Sequence, residues 1–174
     1  MEEEKEIRFK IKKTRKTVEA IRQAGYEKTA TLSVQDIYYD TKEFDFLKNK
    51  KGYRHRKILI EGLCAVDEKF HYKKKLKEKI FEEELTKKDF EKRTQNLLPL
   101  VSLVKKRFIF KKPENDTVEI AIDVVSELGD FLEIEFCKIS PQKIFEDLRI
   151  KESWVERIHL DMTEFWLKNY VETK

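Results

Sequence analysis

Residues 4–11 read EKEIRFKI. With a strand's period of two, Glu4, Glu6, Arg8 and Lys10 share one face, and Lys5, Ile7, Phe9 and Ile11 share the other. Two carboxylates followed by two cations could line a site for metal ions and an anion. The pattern recurs along the chain. KGYRHRKILI (51–60) puts Arg54 and Arg56 on one face and Tyr53 and His55 on the opposite one. EKFHYKKK (68–75) puts His71 and Lys73 together, and VKKRFIFK (104–111) pairs Lys105 with Arg107 opposite Phe108 and Phe110. In TVEIAIDVV (117–125) Glu119 and Asp123 flank Ala121, and in DFLEIEF (130–136) Glu133 and Glu135 alternate with Leu132, Ile134 and Phe136.

For any one strand, an ordinary solvated face explains such polarity. Taken together the faces segregate charge, with carboxylate pairs on the first and last strands and cation pairs between. Gathered round one concavity, each sign would lack near neighbours of the opposite sign. Carboxylate oxygens are hard ligands that suit Mg²⁺ or Mn²⁺. Arg and Lys suit phosphate oxygens, Arg through its planar fork and Lys as a point charge. So many cations exceed the needs of a single phosphate and match those of a triphosphate.

The elements that must position these residues are mostly strands. The first runs to about Lys12, and TRKTVEAIRQAG follows as a helix stopped by Gly25. VQDIYYDT (34–41) reads as a strand with Asp36, Tyr38 and Asp40 on one face. Segments 68–75 and 78–85 form a hairpin in which Lys79, Glu82 and Glu84 have an open register. TKKDFEKRTQNLLPL (86–100) reads as a helix with Thr86 and Asp89 in capping-box spacing. Three strands then follow without a helix, and Gly129-Asp130 is the expected turn between the last two. SPQKIFEDLRI has Ser140 as N-cap and Pro141 at the first helical position, and HLDMTEFWLKN is a final helix. About eight strands joined as hairpins, with helices to one side, predict an α+β domain spanning 1–174. His55 is expected to pack under a helix, whereas His71 shares the face of Lys73.

Composition narrows the classes. Hydrophobic residues make up 40% and charged residues 41% of the 174, with four Gly and three Pro, so the chain is globular rather than a linker. A net charge of +4 is too small to point to nucleic acid. Cys64 and Cys137 lack metal-ligand or redox spacing, and the acidic start MEEEKEIR lacks the apolar stretch of a secretory signal. A cytoplasmic protein with no membrane span is expected.

EKEIRFKI resembles the Glu-x-Glu-x-Lys signature of the CYTH superfamily, the triphosphate tunnel metalloenzymes. QDIYYDT with YRHRK, then VKKRFIF and VEIAIDVVSELGDFLEIEF, resemble its remaining motifs in the right order, over roughly residues 2–137. The resemblance implies a closed eight-stranded antiparallel β-barrel, flanked by helices, whose polar interior forms the tunnel. It implies that Glu4, Glu6, Glu133 and Glu135 hold Mg²⁺ or Mn²⁺. Arg8, Lys10, Arg54, Arg56, Lys73, Lys105 and Arg107 would grip the triphosphate. Glu4, Glu6 and Asp123 would serve catalysis, Asp123 through metal or water positioning. The sequence departs from the family in having Arg8 where the signature ends in Lys, and in lacking a clean Arg-x-Glu on the fifth strand.

The activity so implied is metal-dependent cleavage of a P–O–P bond in tripolyphosphate, thiamine triphosphate or ATP. Hydrolysis needs no adenine pocket and is the first expectation. The wording of QDIYYDT and LGDFLEIEF is most similar to class IV adenylyl cyclases, so conversion of ATP to cyclic AMP and pyrophosphate is the alternative. A non-catalytic polyphosphate- or RNA-binding module is the rival from another class. It would gain nothing from carboxylates beside its ligand. Monomer and homodimer both remain open at this level.

Overall fold

A computed structural model of the chain describes residues 5–63, 66–76, 79–113, 115–136, 139–160 and 162–170. Glu4, Cys64 and Cys137 lie outside the described residues. The strands are β1 (Lys5–Ile11), β2 (Glu27–Asp40), β3 (Lys51–Ile60), β4 (Val66–Leu76), β5 (Lys79–Leu85), β6 (Leu98–Lys112), β7 (Asn115–Val125), β8 (Gly129–Phe136) and β9 (Val155–Ile158). The helices are α1 (Thr14–Gln23), α2 (Asp45–Lys48), α3 (Lys87–Thr94), α4 (Pro141–Leu148) and α5 (Met162–Tyr170). None of the described helices is long and apolar enough to cross a membrane.

Hydrogen bonding links the strands into one sheet in the order β5-β4-β3-β2-β6-β7-β8-β1-β9. This corrects the expectation of a closed eight-stranded barrel: the sheet is open, with β5 and β9 as its edges. Closure would require a further strand on the second edge of β1. That edge is already occupied by β9, through Arg8↔Ile158 to Ile11↔Val155. The four residues of β9 carry too short an alternation to be recognised as a strand.

The chain divides into two compact units, Met1–Leu32 with Lys105–His159, and Ser33–Val104 with Leu160–Lys174. In the first unit β1, β7 and β8 turn Ile7, Phe9, Ile120, Ile122, Leu132 and Ile134 toward Ile21 of α1 and Ile144 and Leu148 of α4. Ile120 and Ile134 are fully buried, each contributing about 1.5–3 kcal/mol relative to exposure. Because side chains alternate across a strand, this core commits the intervening residues of all three strands to the opposite face. α1 ends as Gly25 turns to φ +87°, with Tyr26 N–H donating to the Ile21 carbonyl.

In the second unit Phe70, Leu85 and Phe90 form a core with Tyr39, Tyr53 and Tyr72. His55 stacks on Phe70 at 4.5 Å, under α3 as expected. The Thr86 hydroxyl caps α3 by accepting from Asp89 N–H at 3.1 Å. That helix ends at Thr94, shorter than the 86–100 expected, because Pro99 cannot continue a helix and residues from Leu98 onward join β6. The β7–β8 turn also differs from expectation. It occupies Ser126–Leu128, and Gly129 is the first residue of β8, paired with Val125 at φ +91°.

Candidate functional site

In the first unit the face opposite the core is built in rows. Glu6 on β1 lies directly across from Glu135 on β8, which lies directly across from Glu119 on β7. The next row is Arg8, Glu133 and Ala121, and the third is Lys10, Phe131, Asp123 and Arg107. Like charges directly opposed on a sheet are destabilising, so the Glu6–Glu135–Glu119 row stores repulsion. Lys111 offsets part of it, 2.8 Å from Glu119. Burial, and then the charges of Glu6 and Glu119, push the Glu135 carboxyl above its ordinary range.

The two carboxylates deepest in this face are held by cations. Glu133 accepts from Arg8 Nε at 2.8 Å and from Arg107 Nη2. Its own burial favours the neutral form, but Arg8, Arg107 and Lys105 together outweigh that and keep it well below the usual carboxylate range. Asp123, with no exposed surface, accepts from Lys105 Nζ at 2.6 Å and from Arg107 Nε and Nη2 at 2.7 Å each. Arg8 Nη2 also reaches Glu6 at 2.5 Å. Lys10 is placed differently from its companions. Its ammonium donates to the Leu128 carbonyl in the β7–β8 turn and lies 4.5 Å over the Phe131 ring.

Glu6, Glu133 and Glu135 each offer an oxygen, and the three atoms lie within 4.8 Å of one another. Ligands on opposite sides of Mg²⁺ sit about 4.2 Å apart, from bonds of roughly 2.1 Å. Of three ligands on such an ion at most one pair is opposite, and neighbouring ligands sit about 3.0 Å apart, so the trio draws inward to take a small divalent cation. The donors are all hard oxygen, and the surplus negative charge around Glu135 favours a cation. The residues present fit Mg²⁺ or Mn²⁺ on the chemistry of their donors. Glu4, the fourth carboxylate expected beside them, lies outside the described residues.

The second unit gathers the remaining expected cations. Arg56 grips Asp36 with a two-pronged contact, Nε to Oδ1 at 2.6 Å and Nη2 to Oδ2 at 2.7 Å. Glu82 accepts from Arg54 Nη2 at 2.9 Å and lies 2.8 Å from Lys73 Nζ and 2.7 Å from His71 Nδ1. Burial opposes the Glu82 charge, and His71, Lys73 and Arg54 outweigh it, so the carboxyl is held well below its ordinary range. Burial, and then Arg54, push the Lys73 ammonium below the usual lysine range. Asp40, on the same strand face as Asp36, serves the fold instead, accepting from the Thr41, Phe46 and Leu47 N–H groups around α2.

These contacts correct the reading that like-charged pairs would stand uncompensated. Asp36 and Glu82 supply the missing negative charge for Arg56, Arg54 and Lys73, as Asp123 and Glu133 do for Arg8, Lys105 and Arg107. Neither Asp36 nor Glu82 was among the expected site residues. Their alternation in QDIYYDT and FEEEL was visible, but alternation does not say which cation a carboxylate meets. The β4–β5 register, with Lys73 opposite Glu82 and His71 opposite Glu84, settles that for the fifth strand.

The family described as CYTH domain matches residues 2–170. Three solved structures share the fold. The PH1819 protein from Pyrococcus horikoshii OT3 has a TM-score of 0.70 at 21% identity, over 95% of this chain and 99% of that one. A candidate adenylate cyclase from Vibrio parahaemolyticus has a TM-score of 0.67 at 17% identity, covering 94% and 97%. A candidate adenylyl cyclase from Hippeastrum, HpAC1, described as having a dominant triphosphatase activity, has a TM-score of 0.65 at 13% identity, covering 96% of each chain. No curated protein matches the chain significantly.

Proposed function

Because the chain belongs to the CYTH domain family, we propose that it is a divalent-cation-dependent enzyme that hydrolyses a triphosphate. The observation that carries this reading is the union, on one face of one unit, of the Glu6–Glu133–Glu135 trio with Arg8, Lys105 and Arg107. A site that only binds anions has no use for three converging carboxylates, which repel its ligand. Glu6, Glu133 and Glu135 would hold Mg²⁺ or Mn²⁺, and the ion when bound neutralises phosphate charge and acts as a Lewis acid.

The chain's own residues do the rest. Arg8 and Arg107 present guanidinium forks that match phosphate oxygens two at a time, and Lys105 adds a point charge. At rest these cations are oriented by Glu133 and Asp123, so they are preorganised for charge that develops on the departing phosphate chain. Asp123 is in this reading a positioning residue, since its oxygens are engaged by Lys105 and Arg107. Water adds to the terminal phosphorus and releases a proton to solvent, the bond to the bridging oxygen breaks, and the bridging oxygen keeps the electron pair on the shortened chain, which separates from orthophosphate. In the second unit Arg54, Arg56 and Lys73 are assigned to phosphate binding on their own arrangement.

Hydrolysis is favoured over cyclisation because it needs only phosphate recognition, with no positioned ribose or adenine. The Hippeastrum protein, with its dominant triphosphatase activity, supports the same preference. The test is incubation with tripolyphosphate, thiamine triphosphate and ATP separately, with Mg²⁺ or Mn²⁺, measuring phosphate, pyrophosphate and cyclic AMP. Phosphate release abolished in Glu6→Gln supports the proposal and names the substrate. Cyclic AMP with pyrophosphate would replace it with the cyclase reading, and binding without turnover would replace it with an anion-binding module.

A further inference from the structure

Arg54 on β3 and His71 on β4 are direct cross-strand partners, and each carries a buried nitrogen left without a hydrogen-bond partner among the described residues. Arg54 is 93% buried at its side chain, yet its Nε–H has no acceptor among the described residues; Asp36 Oδ1 is 4.0 Å away. The His71 side chain is 12% exposed, and its Nε2 is likewise unpartnered. A buried polar atom without a partner is costly, and two of them on paired residues call for a common explanation. The groups around them are Arg54 and Arg56 on β3, Lys69 and Lys73 on β4, Glu82 and Glu84 on β5, and Asp36 on β2. Asp67, on the same face of β4, lies 4.0 Å from Lys69, so the fixed charges balance; the Arg54 Nε–H is a donor, and it is this that calls for an acceptor such as an anion's oxygen.

We propose that His71 is a phosphate-binding residue, its Nε2 and Arg54 Nε forming a two-point anion subsite within the second unit. This rests on the triphosphate reading and adds a proton to it. Glu82 Oε1 stands 2.7 Å from Nδ1 outside hydrogen-bond geometry, and the carboxylate favours an N–H over a lone pair at that nitrogen of the neutral ring. Neutral Nε2 therefore presents a lone pair, which repels a phosphate oxygen. The protonated ring presents an N–H, which attracts it. Anion binding consequently takes up a proton at His71, and affinity rises as pH falls. Nothing is oxidised or transferred beyond that proton, which comes from solvent.

The chain has only three histidines, so their ring nitrogens can be followed individually by NMR. The experiment titrates tripolyphosphate into the full chain in metal-free buffer at several pH values, alongside calorimetry. Expected are movement of His71 Nε2 to the protonated position on binding, with His55 and His159 unmoved, and net proton uptake on binding. His71→Phe should weaken binding roughly tenfold at pH 6, by loss of one charge-assisted hydrogen bond, and less at pH 8. His71→Gln, which keeps a donor without a titrating proton, should bind with a flattened pH profile. Calorimetric binding with the His71 ring unmoved would overturn the inference and leave the triphosphate reading standing. Absence of tripolyphosphate binding to the folded wild-type protein would overturn both.

Discussion

Replacing Asp123 by Asn removes one negative charge from the most enclosed position in the first unit. Asp123 has no exposed surface, and it receives three hydrogen bonds of 2.6–2.7 Å from Lys105 and Arg107. Lys105 is 94% buried at its side chain, and Asp123 is the carboxylate it contacts at 2.6 Å. Asn keeps the shape and one acceptor oxygen but removes the negative charge that the ammonium contacts in low dielectric. Breaking a buried pair in this way costs about 3–5 kcal/mol. For a chain of this size each kcal/mol moves Tm by about 2–4 °C, so Tm should fall by about 6–20 °C. Thermal melts followed by circular dichroism, with urea titrations in parallel, measure this directly. Adding Lys105→Met to the Asn variant removes the ammonium that faced the lost carboxylate and should recover at least about 1 kcal/mol, a non-additivity expected of touching residues. Tripolyphosphate should raise Tm more in Asp123→Asn than in wild type, because the anion replaces the lost charge. A loss below about 1 kcal/mol with an intact spectrum would refute the reasoning, since Asp123 would then not be what neutralises Lys105 and Arg107.

Other perturbations follow from the same contacts. Glu135→Gln relieves the like-charge row with Glu6 and Glu119, so it should raise Tm in metal-free buffer and abolish the further rise that Mn²⁺ gives wild type. The folded Glu82 carboxyl is held below its unfolded range, so its stabilisation is present above about pH 4.3 and is lost as pH falls further. Glu82→Gln should accordingly flatten the acid limb of the stability–pH curve, read from urea midpoints between roughly pH 5 and 2. Gly129→Ala places a Cβ at φ +91° and 2.7 Å from the Lys10 ammonium; the flexible lysine can yield, so the backbone sets a cost of about 1–2 kcal/mol, measured by thermal melt.

Strands β1, β7 and β8 were legible because alternation of Ile, Phe, Leu and Val with charge leaves one way to face a core, and β3 because Tyr53 and His55 alternate with Arg54 and Arg56. The early halves of β2 and β6 were not. Thr29 and Thr31 give weak contrast, and Leu97, Leu98 and Leu100 continued a helical pattern that only Pro99 contradicts. Closure was misjudged for a different reason. Whether a sheet closes depends on which strand takes the last edge, and that edge went to β9, a four-residue segment far along the chain. Which strand faces carry the cations and Glu6, Glu133 and Glu135 was readable from spacing alone. Their counter-ions were not, because the contacts of Arg56 with Asp36 and of Lys73 with Glu82 depend on strand neighbours and register. His71 was placed on the right face, but its unpartnered nitrogen is a property of packing.

The measurement that tests the central claim most directly is the initial rate of phosphate release from tripolyphosphate as Mg²⁺ or Mn²⁺ is raised from zero, for wild type and Glu135→Gln. The account predicts no turnover without the ion, saturable activation in wild type, and loss of about 10²-fold or more in the variant, as for removal of one electrostatic stabiliser. Turnover that persists in chelator, or that Glu135→Gln leaves unchanged, would contradict a cation held by the Glu6–Glu133–Glu135 trio.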